Sequence, residues 1–236
     1  MAKANTRKAI VFVVEGQTDK DALEQILKRI YRNKSIEFVI TSGDVTTQSD
    51  VTTQNVEDTL VGFVEKVLNY DKFRWSDVYQ IVHLIDTDGC FVPDNCITQA
   101  EVPKYLYSVD GITCRDKEEC IERNKQKREI VDFLLKQEKM HDVPYEMYYM
   151  SCNLDDALYG DKNLSLEEKI EKSIAFQDAF MGQETLFVRY LEAEAVNGVP
   201  ASFLGSWKYI REGLHSVERH TNFHLFFKRN PFDLGM

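Results

Sequence analysis

Short apolar runs alternate with amphipathic stretches over residues 8–150, and this alternation is the feature that most constrains the fold. Four runs have the length and the β-branched or aromatic content of buried strands: "KAIVFVV" from residue 8, "IEFVI" from residue 36, "VYQIVHLID" from residue 78 and "YEMYYM" from residue 145. Apolar residues at helical spacing lie between them, over residues 18–33, 56–70 and 117–138. Strands that alternate with helices predict an α/β fold with a mainly parallel sheet.

A chain of 236 residues can form one large domain or two smaller ones. We expect residues 1–150 to form one α/β domain, with an irregular insertion at about residues 89–116 that holds two prolines. Residues 151–236 are expected to form a mostly helical C-terminal extension. The pentapeptide "DVTTQ" occurs at residue 44 and again at residue 50, and this Thr/Gln-rich stretch predicts a polar loop.

Carboxylates stand at the ends of two predicted strands. Glu15 ends the first strand, Asp19 opens the following helix, and Asp86 and Asp88 end the third strand. In an open α/β sheet, ligands bind beyond the carboxyl ends of the strands, so these side chains are expected to share one crevice. Asp86 and Asp88 are two residues apart, which in an extended segment would point both side chains the same way.

Carboxylates that converge in this way repel one another unless a cation lies between them. Hard oxygen ligands suit Mg²⁺ or Mn²⁺, so the sequence predicts a metal site formed by Glu15, Asp19, Asp86 and Asp88. Asp155, just after the fourth strand, is a weaker candidate for a fifth ligand. The alternative is structural, because Glu15 and Asp19 could cap a helix and "DTDG" could form a plain turn.

The stretch "VVEGQTDKDAL", taken with "HLIDTDG", resembles the Toprim domain of bacterial primases, topoisomerases and OLD-family nucleases. That family has a strand ending in Glu-Gly and a later strand ending in Asp-x-Asp, matched here by Glu15-Gly16 and by Asp86-Thr87-Asp88. Asp19 matches an extra acid of the nuclease branch. The resemblance covers roughly residues 8–150 and implies a Toprim-like Rossmannoid domain.

The resemblance implies metal-dependent cleavage of phosphodiester bonds in DNA or RNA. Asp86, Asp88 and Asp19 would hold Mg²⁺ or Mn²⁺, and Glu15 would act as general base or acid or bind a second ion. No G-x-x-x-x-G-K-[ST] motif is present, and the chain looks more like the small stand-alone Toprim nucleases that resemble bacterial anti-phage effectors. A partner ATPase, a phage-derived trigger and a homo-oligomer are all compatible with this resemblance.

Two other functions fit the same acidic residues. One is a non-catalytic module that holds a cation in the acidic crevice and contacts a partner or regulator. The other is a phosphatase of the HAD type, which begins "DxDGT", although Asp86 lies on the third strand rather than the first. Cys90 also replaces the threonine of that motif.

The net charge of −10 argues against a general polyanion-binding protein, because contacts to phosphate groups depend on Lys and Arg. Residues 207–236 differ from the rest, since they carry five basic and three acidic residues, which gives this region a charge of +2. Four side chains of this region are candidate contacts to a nucleic-acid backbone: Lys208, Arg211, Arg219 and His220.

Five cysteines and the hydropathy of the chain bear on its environment. Cys90 and Cys96, like Cys114 and Cys120, are separated by five residues, which is a poor match to zinc ligands. With Cys152 the count is odd, and we expect reduced thiols. The chain has no run of 18 apolar residues and no signal-peptide pattern at its first residues, so we expect a cytoplasmic protein without a membrane span.

Overall fold

The computed structural model of the chain describes residues 8–41, 43–193 and 195–232. Its strands are β1 (Ala9–Val14), β2 (Ser35–Ile40), β3 (Val78–Asp86), β4 (Ile97–Gln99), β5 (Leu106–Ser108), β6 (Gly111–Cys114), β7 (Lys139–Met140), β8 (Val143–Ser151) and β9 (His220–Thr221). Its α-helices are α1 (Gln17–Ile30), α2 (Val56–Asp71), α3 (Lys117–Leu134), α4 (Leu154–Tyr159), α5 (Leu166–Phe180), α6 (Glu184–Ala193), α7 (Phe203–Tyr209) and α8 (His224–Arg229).

The main sheet has the strand order β2-β1-β3-β8-β7, and β9 pairs with the end of β8. The pairs β1–β2, β1–β3 and β3–β8 are parallel, whereas β7 and β9 run antiparallel to β8. The structure therefore confirms the mixed α/β, Rossmann-like class with a mainly parallel sheet. Because the four parallel strands point the same way, their carboxyl ends meet at one edge of the sheet.

Strand β1 is apolar throughout because both faces of the sheet are covered. Ile10, Phe12 and Val14 belong to a core cluster with side chains of α1, α5, α6 and α8. Val11 and Val13 point to the opposite face and pack in a second cluster with α2, α3 and α7. Alternate side chains of β1 therefore belong to two separate core layers, one on each face of the sheet.

The segment between β3 and α3, predicted as an irregular insertion, contains a small sheet of its own. Its strand order is β4-β6-β5, with β4 parallel and β5 antiparallel to β6. Cys114, Cys120 and Cys152 are buried beneath it in an apolar cluster with Ile97 and Ile112. All five cysteines are free thiols, and the buried ones serve as small apolar side chains here.

The region after Ser151 is joined to the central core. It contributes helices α4 to α8, and strand β9 extends the main sheet. The ring centroid of Phe226 lies 5.4 Å from that of Phe12 in β1, and Phe223 packs edge-on to Tyr148. The aromatic side chains near the C-terminus therefore complete the core layer that begins on β1.

Within the described ranges, no helix combines the length and the hydropathy needed to cross a membrane.

Truncation of a C-terminal aromatic side chain tests this shared core. Phe226 is fully buried, so Phe226→Ala should lower the free energy of unfolding by about 3–5 kcal/mol, since it leaves a cavity against Phe12. Leu204→Ala is the control, because Leu204 is 77% exposed and its truncation should change stability by no more than about 0.5 kcal/mol. Urea unfolding measures both variants. Equal, small losses would contradict a core that includes the C-terminal region.

Candidate functional site

Acidic side chains from four parallel strands collect at the carboxyl edge of the main sheet. Glu15 directly follows β1, and Asp86 is the last residue of β3. Asp44 lies in the turn after β2, and Asp155 lies in the first turn of α4, just after β8. The members of this carboxylate cluster are Glu15, Asp19, Asp44, Asp86, Asp88 and Asp155.

Glu15, Asp44 and Asp88 form the most compact part of the cluster. Each offers a carboxylate oxygen, and the three oxygens lie within 4.8 Å of one another. The side chains remain partly exposed, with 11% of Asp44 and 20% of Asp88 accessible to solvent. Two members of this group were predicted from the strand ends, but Asp44 was not. Its position at the carboxyl end of a strand beside β1 was the signal that could have identified it.

A buried lysine faces this compact group. The side chain of Lys127, on α3, is fully withdrawn from solvent, and its Nζ lies 2.6 Å from Asp44 Oδ2 and 2.8 Å from Asp88 Oδ2. Burial alone would lower the pKa of Lys127, but the carboxylates of Asp44, Asp88 and Glu15 outweigh it and raise that pKa well above its ordinary value. The ammonium group is therefore charged, and it neutralises part of the cluster.

The helical pattern of α3 indicates that Lys127 is buried, although this residue is not part of either strand-end motif. The buried face of α3 includes Cys120, Ile130, Val131 and Leu134, and Lys127 falls on the same face. A lysine at a core position of a helix needs a charged partner, because an unpaired buried ammonium group is costly. The partners are the two aspartates at the sheet edge.

Asp86 and Asp88 take different partners, so the expectation that their side chains point the same way is wrong. Asp88 has a φ of 47°, in the left-handed region, and the chain is not extended there. Asp86 Oδ1 accepts a hydrogen bond from the Leu154 backbone N–H at 2.8 Å, at the start of α4. Asp88 instead accepts from Lys127 and, at 3.3 Å, from the Tyr107 hydroxyl.

The left-handed turn at Asp88 continues into Gly89, which has a φ of 63°. A Cβ atom at Gly89 would lie 2.7 Å from Val217 Cγ1, so a side chain there would clash as well as strain the backbone. The Asp88 carbonyl oxygen accepts a hydrogen bond from Arg123 Nη2 at 2.8 Å. Glycine and Arg123 together hold the turn that directs Asp88 toward Lys127.

The capping alternative applies to Asp19 but not to Glu15. Asp19 Oδ2 accepts a hydrogen bond from the Gly16 backbone N–H at 2.9 Å, in the first turn of α1. Glu15 Oε1 accepts from the Asp86 backbone N–H at 3.2 Å and so links the ends of β1 and β3. A cap uses one lone pair of the Asp19 carboxylate, and the charge of the side chain remains beside the cluster.

The cluster divides into paired and unpaired carboxylates. Asp44 and Asp88 pair with Lys127, and Asp155 Oδ2 lies 2.6 Å from Lys169 Nζ. In contrast, no basic side chain in the described part of the chain lies within 4.0 Å of the carboxylates of Glu15, Asp19 and Asp86 as an ion-pair partner.

The three unpaired carboxylates have raised pKa values. Burial is the largest cause in each case, and it raises the pKa of Asp19 to about 6. The pKa of Glu15 is raised well above its ordinary value by burial and then by the charges of Asp44 and Asp86. The pKa of Asp86 is raised in the same way, by burial and then by the charges of Asp19 and Asp88. Each of these groups would be stabilised in its charged form by an added cation.

The four residues predicted to contact nucleic acid lie in different environments. Lys208 is exposed, while Arg211 pairs with Asp132 of α3. Arg219 donates hydrogen bonds to the Ala157 and Leu158 carbonyl oxygens and to the Tyr190 hydroxyl. His220 is buried, and burial lowers its pKa. A role of these side chains toward nucleic acid stays a prediction.

Comparison with protein families, with characterised proteins and with solved structures finds no match to this chain. The Toprim resemblance therefore depends on the two sequence motifs alone and stays a prediction. What the site can do follows from its own chemistry, which is a partly exposed set of hard oxygen ligands with excess negative charge. That chemistry suits a divalent cation of the Mg²⁺ or Mn²⁺ type.

Because the pKa of Asp19 is raised, its ionisation should make the free energy of unfolding of the wild-type protein depend on pH. The folded protein holds this proton more tightly than the unfolded chain, so ionisation removes stability as the pH rises from about 4 to about 6. Asp19→Asn, which can still cap α1, should match wild type near pH 4. It should exceed wild type above pH 6 by on the order of 3 kcal/mol in metal-free buffer.

Urea unfolding at several pH values measures this difference, and the comparison with wild type cancels opposite effects from buried His83 and His224, whose pKa values burial lowers. Asp110→Asn, at an exposed loop position, is the control. A constant difference between Asp19→Asn and wild type across this range would show that Asp19 is not held in an unfavourable charged state.

Proposed function

We propose that this protein is a Mg²⁺- or Mn²⁺-dependent phosphodiesterase that cleaves DNA or RNA at the carboxyl edge of its parallel sheet. The observation that carries the proposal is the presence of three partly exposed, unpaired carboxylates, those of Glu15, Asp19 and Asp86, at the edge where open α/β sheets bind ligands. A purely structural role would leave these charges without a stabilising partner.

The charge of the site supports a divalent cation. Three of the six carboxylates of the cluster pair with the ammonium groups of Lys127 and Lys169, and Arg123 binds the backbone carbonyl of Asp88 rather than a carboxylate. The excess of acidic groups must be offset by bound protons or by a cation, and the raised pKa values show the cost of leaving it uncompensated. Glu15 and Asp86 would hold the ion, with Asp19 and Asp88 beside them.

The bound cation would neutralise charge on a phosphodiester and favour ionisation of a water molecule. The chain's own residues supply the remaining functions. Glu15 Oε1 accepts a hydrogen bond from the Asp86 N–H, which links β1 to β3 and leaves Oε2 for the ion. Arg123 and Lys127 hold Asp88 in place from the side of α3.

Substrate approach is expected to depend on the cation as well. A chain of net charge −10 repels a polyanion, and neutralisation of the cluster removes part of that repulsion where the substrate must bind. Lys208, which is exposed, would contact a phosphate group away from the reacting bond. The Toprim resemblance extends the proposal to an anti-phage effector.

Charge-neutral substitutions at the sheet edge test the proposal. Glu15→Gln and Asp86→Asn should each abolish Mn²⁺-dependent cleavage of plasmid DNA or of tRNA, because each removes a ligand or a proton acceptor without a change of size. Asp178→Asn is the matched control, since Asp178 is exposed on α5 and should not affect cleavage. Gel analysis with and without chelator measures the activity.

The outcomes separate the alternatives. Mn²⁺ binding by wild type without cleavage of either nucleic acid would support the non-catalytic module that contacts a partner. Hydrolysis of a simple phosphomonoester without nucleic-acid cleavage would support the HAD-type phosphatase. Cleavage that persists equally in wild type, Glu15→Gln and Asp86→Asn would rule out this site as its source.

A further inference from the structure

Lys127 lies at the most compact part of the carboxylate cluster. Its Nζ lies between Asp44 Oδ2 and Asp88 Oδ2, at 2.6 and 2.8 Å, and these oxygens belong to the most compact group of acids in the described structure. The side chain is completely buried. Positive charge is thus already present at the point where three carboxylates come closest together.

The oxygens of Asp44 and Asp88 are used within the protein. Asp44 Oδ1 accepts hydrogen bonds from the backbone N–H and the hydroxyl of Thr46, and its other oxygen accepts from Lys127. Asp88 Oδ1 accepts from the Tyr107 hydroxyl, and its other oxygen also accepts from Lys127. Each of the four oxygens therefore has a donor.

Glu15 and Asp86 differ from this pair. Each uses one oxygen, Glu15 Oε1 toward the Asp86 N–H and Asp86 Oδ1 toward the Leu154 N–H. Within the described ranges, the hydrogen bonds leave Glu15 Oε2 and Asp86 Oδ2 without a protein donor. These two oxygens lie at the ends of neighbouring strands and are available to a cation, as is Asp19 Oδ1, because Asp19 accepts only through Oδ2.

Helix α3 keeps Lys127 in place by contacts on both sides of it. Gln126 Nε2 donates to the Gln48 carbonyl oxygen at 2.7 Å, in the loop after β2. Arg128 Nη1 donates to the Cys90 carbonyl oxygen at 2.7 Å, and Arg123 binds the Asp88 carbonyl oxygen. The helix is thus bonded to the two loops that carry Asp44 and Asp88, and movement of the helix away from the cluster would break these bonds.

We propose that Lys127 takes the place of a second metal ion. The site would then bind one divalent cation, through Glu15 and Asp86, while Asp44 forms an ion pair with the lysine. This inference rests on the proposed metal-dependent function and makes it specific. An ion placed between Asp44 and Asp88 would meet the fixed ammonium group at close range and be repelled. Lys127 is a positioning residue in this arrangement, because it acts through Asp88 and Asp44.

Calorimetric titration of MnCl₂ into the full chain near neutral pH measures the number of ions and their affinity. Wild type should bind one ion. Asp44→Asn removes the carboxylate charge and keeps one oxygen acceptor, and it should also bind one ion. Its loss of affinity should be about tenfold at most, the low end of what changes outside the ligand shell cost. Asp86→Asn should weaken binding by about 100-fold or more. Each variant is checked for folding by circular dichroism.

Lys127→Met removes the charge and keeps an unbranched side chain one atom shorter, and it should bind two Mn²⁺ ions. Lys125→Met is the matched control on the exposed side of the same helix, and it should bind one ion. Where Lys127→Met does not fold, the affinities of Asp44→Asn and Asp86→Asn test the proposal. Asp86, as a ligand of the ion, should be required for binding, whereas Asp44, as a partner of Lys127, should not.

Three results would overturn the inference while metal-dependent function stands: two ions in wild type, one ion in folded Lys127→Met, or equal losses in Asp44→Asn and Asp86→Asn. Absence of Mn²⁺ binding by wild type, alone and with an oligonucleotide present, would overturn the metal-dependent function itself. The two failures are therefore distinguishable.

Discussion

The ion pairs of Lys127 with Asp44 and Asp88 join three parts of the chain that are distant in sequence. They connect α3, the turn after β2 and the turn after β3 at the carboxyl edge of the sheet. A charged, fully buried ammonium group requires both partners, so the loops and the helix must adopt this arrangement together. The same interaction sets which carboxylates of the cluster are neutralised and which remain available.

The cluster contains carboxylates of two kinds. Asp44 and Asp88 stabilise the fold through Lys127, whereas Glu15 and Asp86 have raised pKa values because burial and neighbouring charges disfavour their ionised forms. Residues held in unfavourable charge states often mark functional sites, because a ligand that relieves the strain binds tightly. A divalent cation matches these oxygen donors, and the proposed phosphodiester cleavage would depend on such an ion.

The sequence predicted the parallel sheet well because β1 is apolar throughout and β3 and β8 are mostly apolar, as expected of strands covered on both faces. The same logic located Glu15 and Asp86, since strand ends place residues directly. Asp44 and Lys127 were missed because their meeting is a tertiary contact: one lies in a polar Thr/Gln-rich loop, the other in a charged stretch of α3. Local spacing also did not predict the left-handed conformation of Asp88, which redirects its side chain.

Direct location of the ion tests the central claim that the unpaired carboxylates form a cation site. Crystals soaked in MnCl₂ would give an anomalous difference map in which manganese is identified independently of the protein coordinates. We predict one peak within coordination distance of carboxylate oxygens of Glu15 and Asp86, with the Lys127 ammonium group still between Asp44 and Asp88. Absence of a peak at the carboxyl edge of the sheet, or a peak in the position of that ammonium group, would contradict the account.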